Sequence, residues 1–290
     1  MKLKFDYNNM MQEAIGEKGI SETAFEQQAE EIRKAFDTVM ANRGKGWQEW
    51  CDLPTGQQEY LDELITYCGE IGKKADSFVV FGIGGSALGP LAVASALLHL
   101  HHNELPAKKR KAPKLYVEDN VDPERMNALL DVIDLKTTYF NVITKSGETS
   151  ETLSQFLILY DMLKKELGDK KAKEHIIVTT TIGKGTLYNI AVKEGFKIYG
   201  VGAGVGGRFS VLSPVGLVAF AALGLDVKAL LQGAADMAEA CFEPDVKKNP
   251  ALNSAFLQYL SMQKGQNISV LMPYADSLKF MADFYCQIWA

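Results

Sequence analysis

From Ser77 onward the chain alternates between two hydrophobic periods. Short apolar runs predict strands at Phe78–Phe81, Lys114–Val117, Tyr139–Ile143, His175–Thr180 and Phe196–Tyr199. Between them, segments of helical period predict helices at Pro90–His102, Pro123–Val132, Thr149–Leu167 and Thr186–Lys193. Strands alternating with helices imply βαβ units. The expected fold is therefore α/β, a doubly wound parallel sheet with helices on both faces. In such a sheet, ligands bind outside the carboxyl ends of the strands. That rule gathers Gly82–Ser86, Glu118–Asn120, Thr144–Thr149 and Thr179–Gly185 on one rim.

The flanks read differently. Residues up to about Lys74 look helical, with Ser21 as an N-cap and an apolar face of Phe25, Ile32, Phe36, Val39 and Met40 ending near Gly44. A second helix is expected from Gln57 to Gly69. No catalytic pattern stands out there, so residues 1–76 are expected to form a helical cover. Residues 77–200 would then be a first α/β domain. After Gly200, a glycine-rich loop leads to helices at Ser213–Leu223, Val227–Glu239 and Pro250–Gln263. A strand at Ile268–Met272 and an amphipathic helix from Asp276 to Ala290 restart the βα pattern. The last helix carries no stop signal. Residues 201–290 are expected to hold linker helices and the start of a second, incomplete α/β domain.

Composition narrows the partners. The 290 residues are 47% hydrophobic and 23% charged, with a net charge of −5, which argues against nucleic acid. The basic run Lys108–Lys111 is short and sits beside Pro106 and Pro113, as a solvated loop would. The four cysteines, Cys51, Cys68, Cys241 and Cys286, lack metal or redox spacing and point to a reducing, cytoplasmic compartment. The N-terminus lacks the apolar core of a signal peptide. The most apolar stretch, Val211 to Leu225, is too short to span a membrane and contains Pro214.

Two loops carry candidate chemistry. The first runs Gly82-Ile83-Gly84-Gly85-Ser86-Ala87 between a strand and a helix. Its glycines let a ligand approach bare N–H groups, and the helix start favours an anion, most naturally a phosphate. The same spacing fits a dinucleotide fingerprint, but the acidic residue expected about 20 positions on comes late, at Glu118. The second loop, Thr144-Lys145-Ser146-Gly147-Glu148-Thr149, also opens a helix. A cap needs one hydroxyl; with Thr152 this turn offers four, which suits a phosphate cradle better than a cap alone.

Gly82–Pro90, the Ser/Thr cluster 144–152 and the run Gly206-Gly207-Arg208-Phe209-Ser210 through Gly216 closely resemble the glucose-6-phosphate isomerase (phosphoglucose isomerase) family, in its shorter bacterial type. The resemblance covers nearly the whole chain in order. The Gly-Gly-Arg-Phe-Ser run is specific, whereas the Ser/Thr cluster alone marks only the wider sugar-isomerase (SIS) domain family. The resemblance implies two sugar-isomerase α/β domains, a homodimer, and interconversion of glucose 6-phosphate and fructose 6-phosphate with neither metal nor organic cofactor. It implies that Thr144, Lys145, Ser146 and Thr149 hold the substrate phosphate. Gly84, Gly85 and Ser86 would line the sugar, Gly207 would bring backbone close, and Arg208 would face the reacting carbons.

Arg208 also makes sense chemically. Proton transfer between adjacent carbons passes through an enediolate. A permanently charged guanidinium stabilises that anion without taking the proton itself. Two departures from the family are visible. Ala203 stands where a polar or acidic residue is usual. The family's catalytic glutamate would follow Ala290, and its histidine and late lysine would lie further on. His99, His101, His102 and His175 do not replace them, so the chain as written is expected to show little or no turnover. The competing reading is a non-catalytic sugar-phosphate sensor on the same fold. Against it stands Arg208, which phosphate binding alone does not require.

Overall fold

A computed structural model describes residues 3–290. The chain folds as two compact units that interleave in sequence. One comprises residues up to Lys45 with Gln232–Val270, the other Gly46–Leu231 with Leu271–Ala290. The divisions expected from sequence, at residues 76 and 200, follow chain order instead.

The larger unit holds a five-stranded, wholly parallel sheet. Its strands are β1 (Ser77–Phe81), β2 (Lys114–Glu118), β3 (Thr138–Ile143), β4 (Ile176–Thr180) and β5 (Lys197–Gly200), in the order β2-β1-β3-β4-β5. The alternating pleat sends residues to two cores. Phe78, Val80, Ile143 and Ile177 pack with Leu64, Cys68 and Ile71 of the Gln58–Lys74 helix and with the Pro214–Ala222 helix. Val79, Phe81, Phe140, Val142, Ile176 and Val178 pack with Phe156, Leu159 and Leu163 of the Ser150–Leu167 helix and with Leu187 of the Thr186–Glu194 helix. The central strands, covered on both faces, are mostly apolar, which is why they read as short hydrophobic runs rather than as alternating ones. Every residue of the Pro214–Ala222 helix is buried, so it has no polar stripe.

Strand order reverses between β1 and β3: β2 lies on one side of β1, and all later strands lie on the other. Phe81 pairs with Val142 across that boundary, so the loops leaving both strands open side by side. This is the topological switch point, where open α/β sheets bind ligands.

Three expectations need correction. The helix after the first glycine loop spans Leu88–Leu97 and stops short of His102, because Leu98 turns extended. The freed segment serves the edge of the sheet. Asn103 Nδ2 donates to Leu115 O (2.8 Å) and its Oδ1 accepts from Leu115 N (2.9 Å), satisfying both backbone groups of Leu115 on the open side of β2. Nor does Ile268–Met272 form a strand; it joins no sheet, with Ile268 85% and Met272 67% exposed. A strand exists only where a neighbour accepts its hydrogen bonds. The N-terminal helix is also split at Gln28, into Thr23–Gln27 and Ala29–Asn42.

The smaller unit has its own core. Phe25 and Ile32 meet Phe256, Leu257 and Leu260 of the Pro250–Gln263 helix, and the Phe25 and Phe256 rings meet edge-on at 5.0 Å. Among the described residues, no helix is long and apolar enough to cross a membrane. Among them, too, no group of three His, Cys, Asp or Glu side chains is placed to share a metal ion.

Candidate functional site

The first glycine loop leaves β1 at Phe81 and runs through a short 3-10 turn, Gly84–Ser86, into the Leu88–Leu97 helix. Gly84 has φ +58, a conformation that disfavours any side chain. Gly85 is needed for space. A Cβ there would fall inside the Gly207 carbonyl group and 2.7 Å from Arg208 N. Two loops more than a hundred residues apart in sequence therefore touch backbone to backbone. Gly84 meets a third segment: its position for a Cβ lies 2.8 Å from Gln287 Nε2. Arg208 Nη1 donates to Gln287 O at 3.3 Å, and the guanidinium is otherwise exposed on the rim. Gly84, Gly85, Ser86, Gly207 and Arg208, all singled out by their sequence motifs, thus meet in one place, and the structure adds the Gln287 amide.

The second loop leaves β3, the neighbouring strand. Thr144 is buried, and its hydroxyl bonds those of Thr149 (2.7 Å) and Ser146 (3.2 Å). Thr149 is the N-cap residue of the Ser150–Leu167 helix, yet its side chain makes no capping bond. The helix start therefore keeps free N–H groups beside a cluster of three hydroxyls, as an anion site requires. Thr152, one turn in, is buried with its hydroxyl unpaired by protein. Gly147 (φ +75) and Gly185 (φ +87) let the turn close onto the loop after β4; a Cβ on Gly147 would sit 2.7 Å from Gly185 Cα. Glu148 joins the same two loops, accepting Thr186 N at 2.7 Å and the Thr186 hydroxyl.

Charge is distributed unevenly around the rim. Burial lowers the pKa of the Lys145 ammonium from its ordinary 10.5, with Lys184 adding to the effect and Glu49 opposing it. Burial raises the Glu118 carboxyl above the usual range despite Arg125, whose Nε lies 2.7 Å from it. Glu118 ends β2 and is already paired.

One group was not visible in sequence. The 3-10 turn Gly46–Asp52 brings Trp47, Glu49 and Trp50 to the site. Trp47 lies 5.1 Å from Lys145 Nζ, Glu49 accepts Gly204 N at 2.9 Å, and Trp50 stacks on Phe209 at 5.0 Å. The only hint is compositional: two of the chain's three tryptophans fall within four residues.

The phosphoglucose isomerase family profile matches residues 57–289. A curated glucose-6-phosphate isomerase from Carboxydothermus hydrogenoformans is 45% identical over 288 residues, covering 99% of this chain and 62% of its own length. One from Rubrobacter xylanophilus is 38% identical, covering 99% and 64%. The chain thus spans a little over three fifths of the length of these relatives. Among solved structures, a hypothetical protein from Thermus thermophilus superposes with TM-score 0.82 at 32% identity, covering 91% of this chain and 60% of that one. A glucose-6-phosphate isomerase from Chlamydia trachomatis gives TM-score 0.67 at 25% identity, covering 79% and 43%.

Proposed function

Because the chain belongs to the phosphoglucose isomerase family, we propose that it holds the sugar phosphate in an aldose–ketose isomerase interconverting glucose 6-phosphate and fructose 6-phosphate. The observation that carries this reading is the turn after β3. Thr144, Ser146 and Thr149 cluster their hydroxyls at a helix start that Thr149 does not cap. A phosphate there would gain hydroxyl and N–H donors together, with Lys145 supplying a charge. The sugar would lie along Gly84, Gly85 and Ser86, where glycine permits close approach. Its reacting end would meet Arg208, which Gly85 and Gly207 bring to the rim by direct backbone contact.

The chemistry follows from that placement. Removing the proton from the carbon next to the carbonyl puts negative charge on two oxygens of an enediolate. A fixed guanidinium at that end stabilises this charge more than it does the neutral sugar, so it acts on the transition state. Glu118 and Glu148 are engaged with Arg125 and Thr186, and we assign neither as the base that moves the proton.

The test is ligand-dependent unfolding of this chain. At a hundred times its dissociation constant a ligand adds about 2.7 kcal/mol, a shift of several degrees. Fructose 6-phosphate is expected to produce it and NAD is not. Ser146→Ala, which removes one phosphate donor, is expected to shrink it. Stabilisation by NAD alone would overturn the reading in favour of a nucleotide site.

A further inference from the structure

A single short turn reaches both ends of the proposed site. Trp47 is 76% exposed, so packing does not account for where its ring lies. The ring sits under the Lys145 ammonium, 5.1 Å from centroid to Nζ. Two residues on, Glu49 takes the Gly204 N–H at 2.9 Å, and Gly202 is pressed so close that a Cβ would lie 2.8 Å from the same carboxylate oxygen. Trp50 then stacks on Phe209, the residue after Arg208, with the rings 23° from parallel. The first contact reaches the loop after β3, and the other two reach the segment after β5.

Lysine has a flexible stem and no preferred geometry of its own. At an exposed site, an aromatic face beneath the ammonium biases its position by about two- to five-fold in population. Glu49 adds an opposite charge, while Lys184 and burial work against the cation. The indole lies beneath the ammonium, and the Glu49 charge favours its protonated form from further off.

We propose that Trp47 is a positioning residue for Lys145, and that the Gly46–Asp52 turn couples the phosphate end of the site to the Gly202–Arg208 loop through Glu49. The inference rests on the reading of the 144–149 turn as a phosphate site. It assigns a function to a segment in which the sequence shows no catalytic pattern.

The test compares Trp47→Leu with Trp47→Phe by calorimetric titration with fructose 6-phosphate and with inorganic phosphate, alongside intrinsic fluorescence. Leucine keeps an apolar side chain but has no π face; phenylalanine restores one. Trp47→Leu is expected to weaken fructose 6-phosphate about two- to five-fold, and Trp47→Phe to recover most of that loss. Unfolding midpoints should not move, since the residue is largely in water. Wild-type emission should change on adding phosphate, and that change should largely vanish in Trp47→Phe. Glu49→Ala should weaken fructose 6-phosphate more than inorganic phosphate, because only the sugar needs the Arg208 loop. If the wild type binds both ligands and the Leu and Phe variants match it, with the emission change intact, the positioning role is overturned while the phosphate site stands. Equal losses of both ligands in Glu49→Ala would remove the coupling. A wild type that binds neither ligand overturns the phosphate site itself.

Discussion

Gly85→Ala tests whether the two glycine loops form one site. The new methyl carbon would overlap the Gly207 carbonyl and lie 2.7 Å from Arg208 N. Ordinary contact begins at about 3.4 Å and the Gly207 carbonyl oxygen would lie at 2.1 Å, so the 207–208 backbone must retreat by about 1.3 Å or the first loop must move away from it. Neither is a flexible side chain that can swing aside. Gly85 is also not among the glycines with positive φ, so the penalty is steric rather than conformational. Overpacking of this kind costs about 1–3 kcal/mol. For a chain of this size that is roughly 2–4 °C in Tm for each kcal/mol. The effect on the ligand should be larger. Arg208 rides on the displaced backbone, and a shift of about 1 Å at a positioned group can cost about 10²-fold in function. Gly207→Ala is the control for stability, because a Cβ there meets nothing within 4 Å. It should stay within about 0.5 kcal/mol of wild type. Urea denaturation gives the stabilities, and titration with fructose 6-phosphate gives the affinities. If Gly85→Ala matched Gly207→Ala in urea midpoint and wild type in affinity, the backbone contact would not organise the site.

Three further outcomes follow from the same geometry. In the Gln58–Lys74 helix, Gly69→Ala has open space and should stabilise by about 0.5–1 kcal/mol, whereas Gly72→Ala meets the Ala222 carbonyl and should destabilise; thermal unfolding of the pair checks this. Arg208→Lys should bind fructose 6-phosphate within about three-fold of wild type. It should bind a planar hydroxamate mimic of the enediolate at least about ten-fold more weakly, because a point charge replaces a fork; equal losses for both ligands would take Arg208 away from the reacting end. Lys145 contributes to phosphate affinity only while protonated, so its contribution is complete below its pKa and is lost as pH rises through it. Since burial lowers that pKa, affinity for fructose 6-phosphate should begin to fall below the ordinary 10.5, and Lys145→Gln should remove the slope.

The sheet and its rim were legible because their signals are local. Strands buried on both faces leave short, mostly apolar runs, and the helix Pro123–Val132 announces itself with Asp122, which caps Glu124 N at 2.9 Å, and Pro123 in the first turn. The candidate turns were legible because glycine and hydroxyl residues cluster there. What escaped notice depends on distant partners. The Leu88–Leu97 helix ends early at an extended Leu98, and the segment beyond it sends Asn103 to the backbone of β2, twelve residues away. Ile268–Met272 has the composition of a strand, but pairing is not a property of composition. The Gly46–Asp52 turn shows its purpose only when Gly204 and Lys145, both over ninety residues further on, come beside it.

The position of the reversal in strand order explains why these segments can converge. With the order β2-β1-β3-β4-β5, chains leaving β1 and β3 turn in opposite directions, and a gap opens between their loops. Both loops are followed by helices, so both present N–H groups to that gap. Gly84 and Gly85 on one side, with Gly147 and Gly185 on the other, let neighbouring segments approach these loops more closely than any side chain would allow. The Gly202–Arg208 loop can then reach the gap from beyond β5, because Gly85 gives way to the Gly207 carbonyl. Glycine here contributes less through flexibility than through absence: it lets a cation borne by one loop stand beside an anion site built by another.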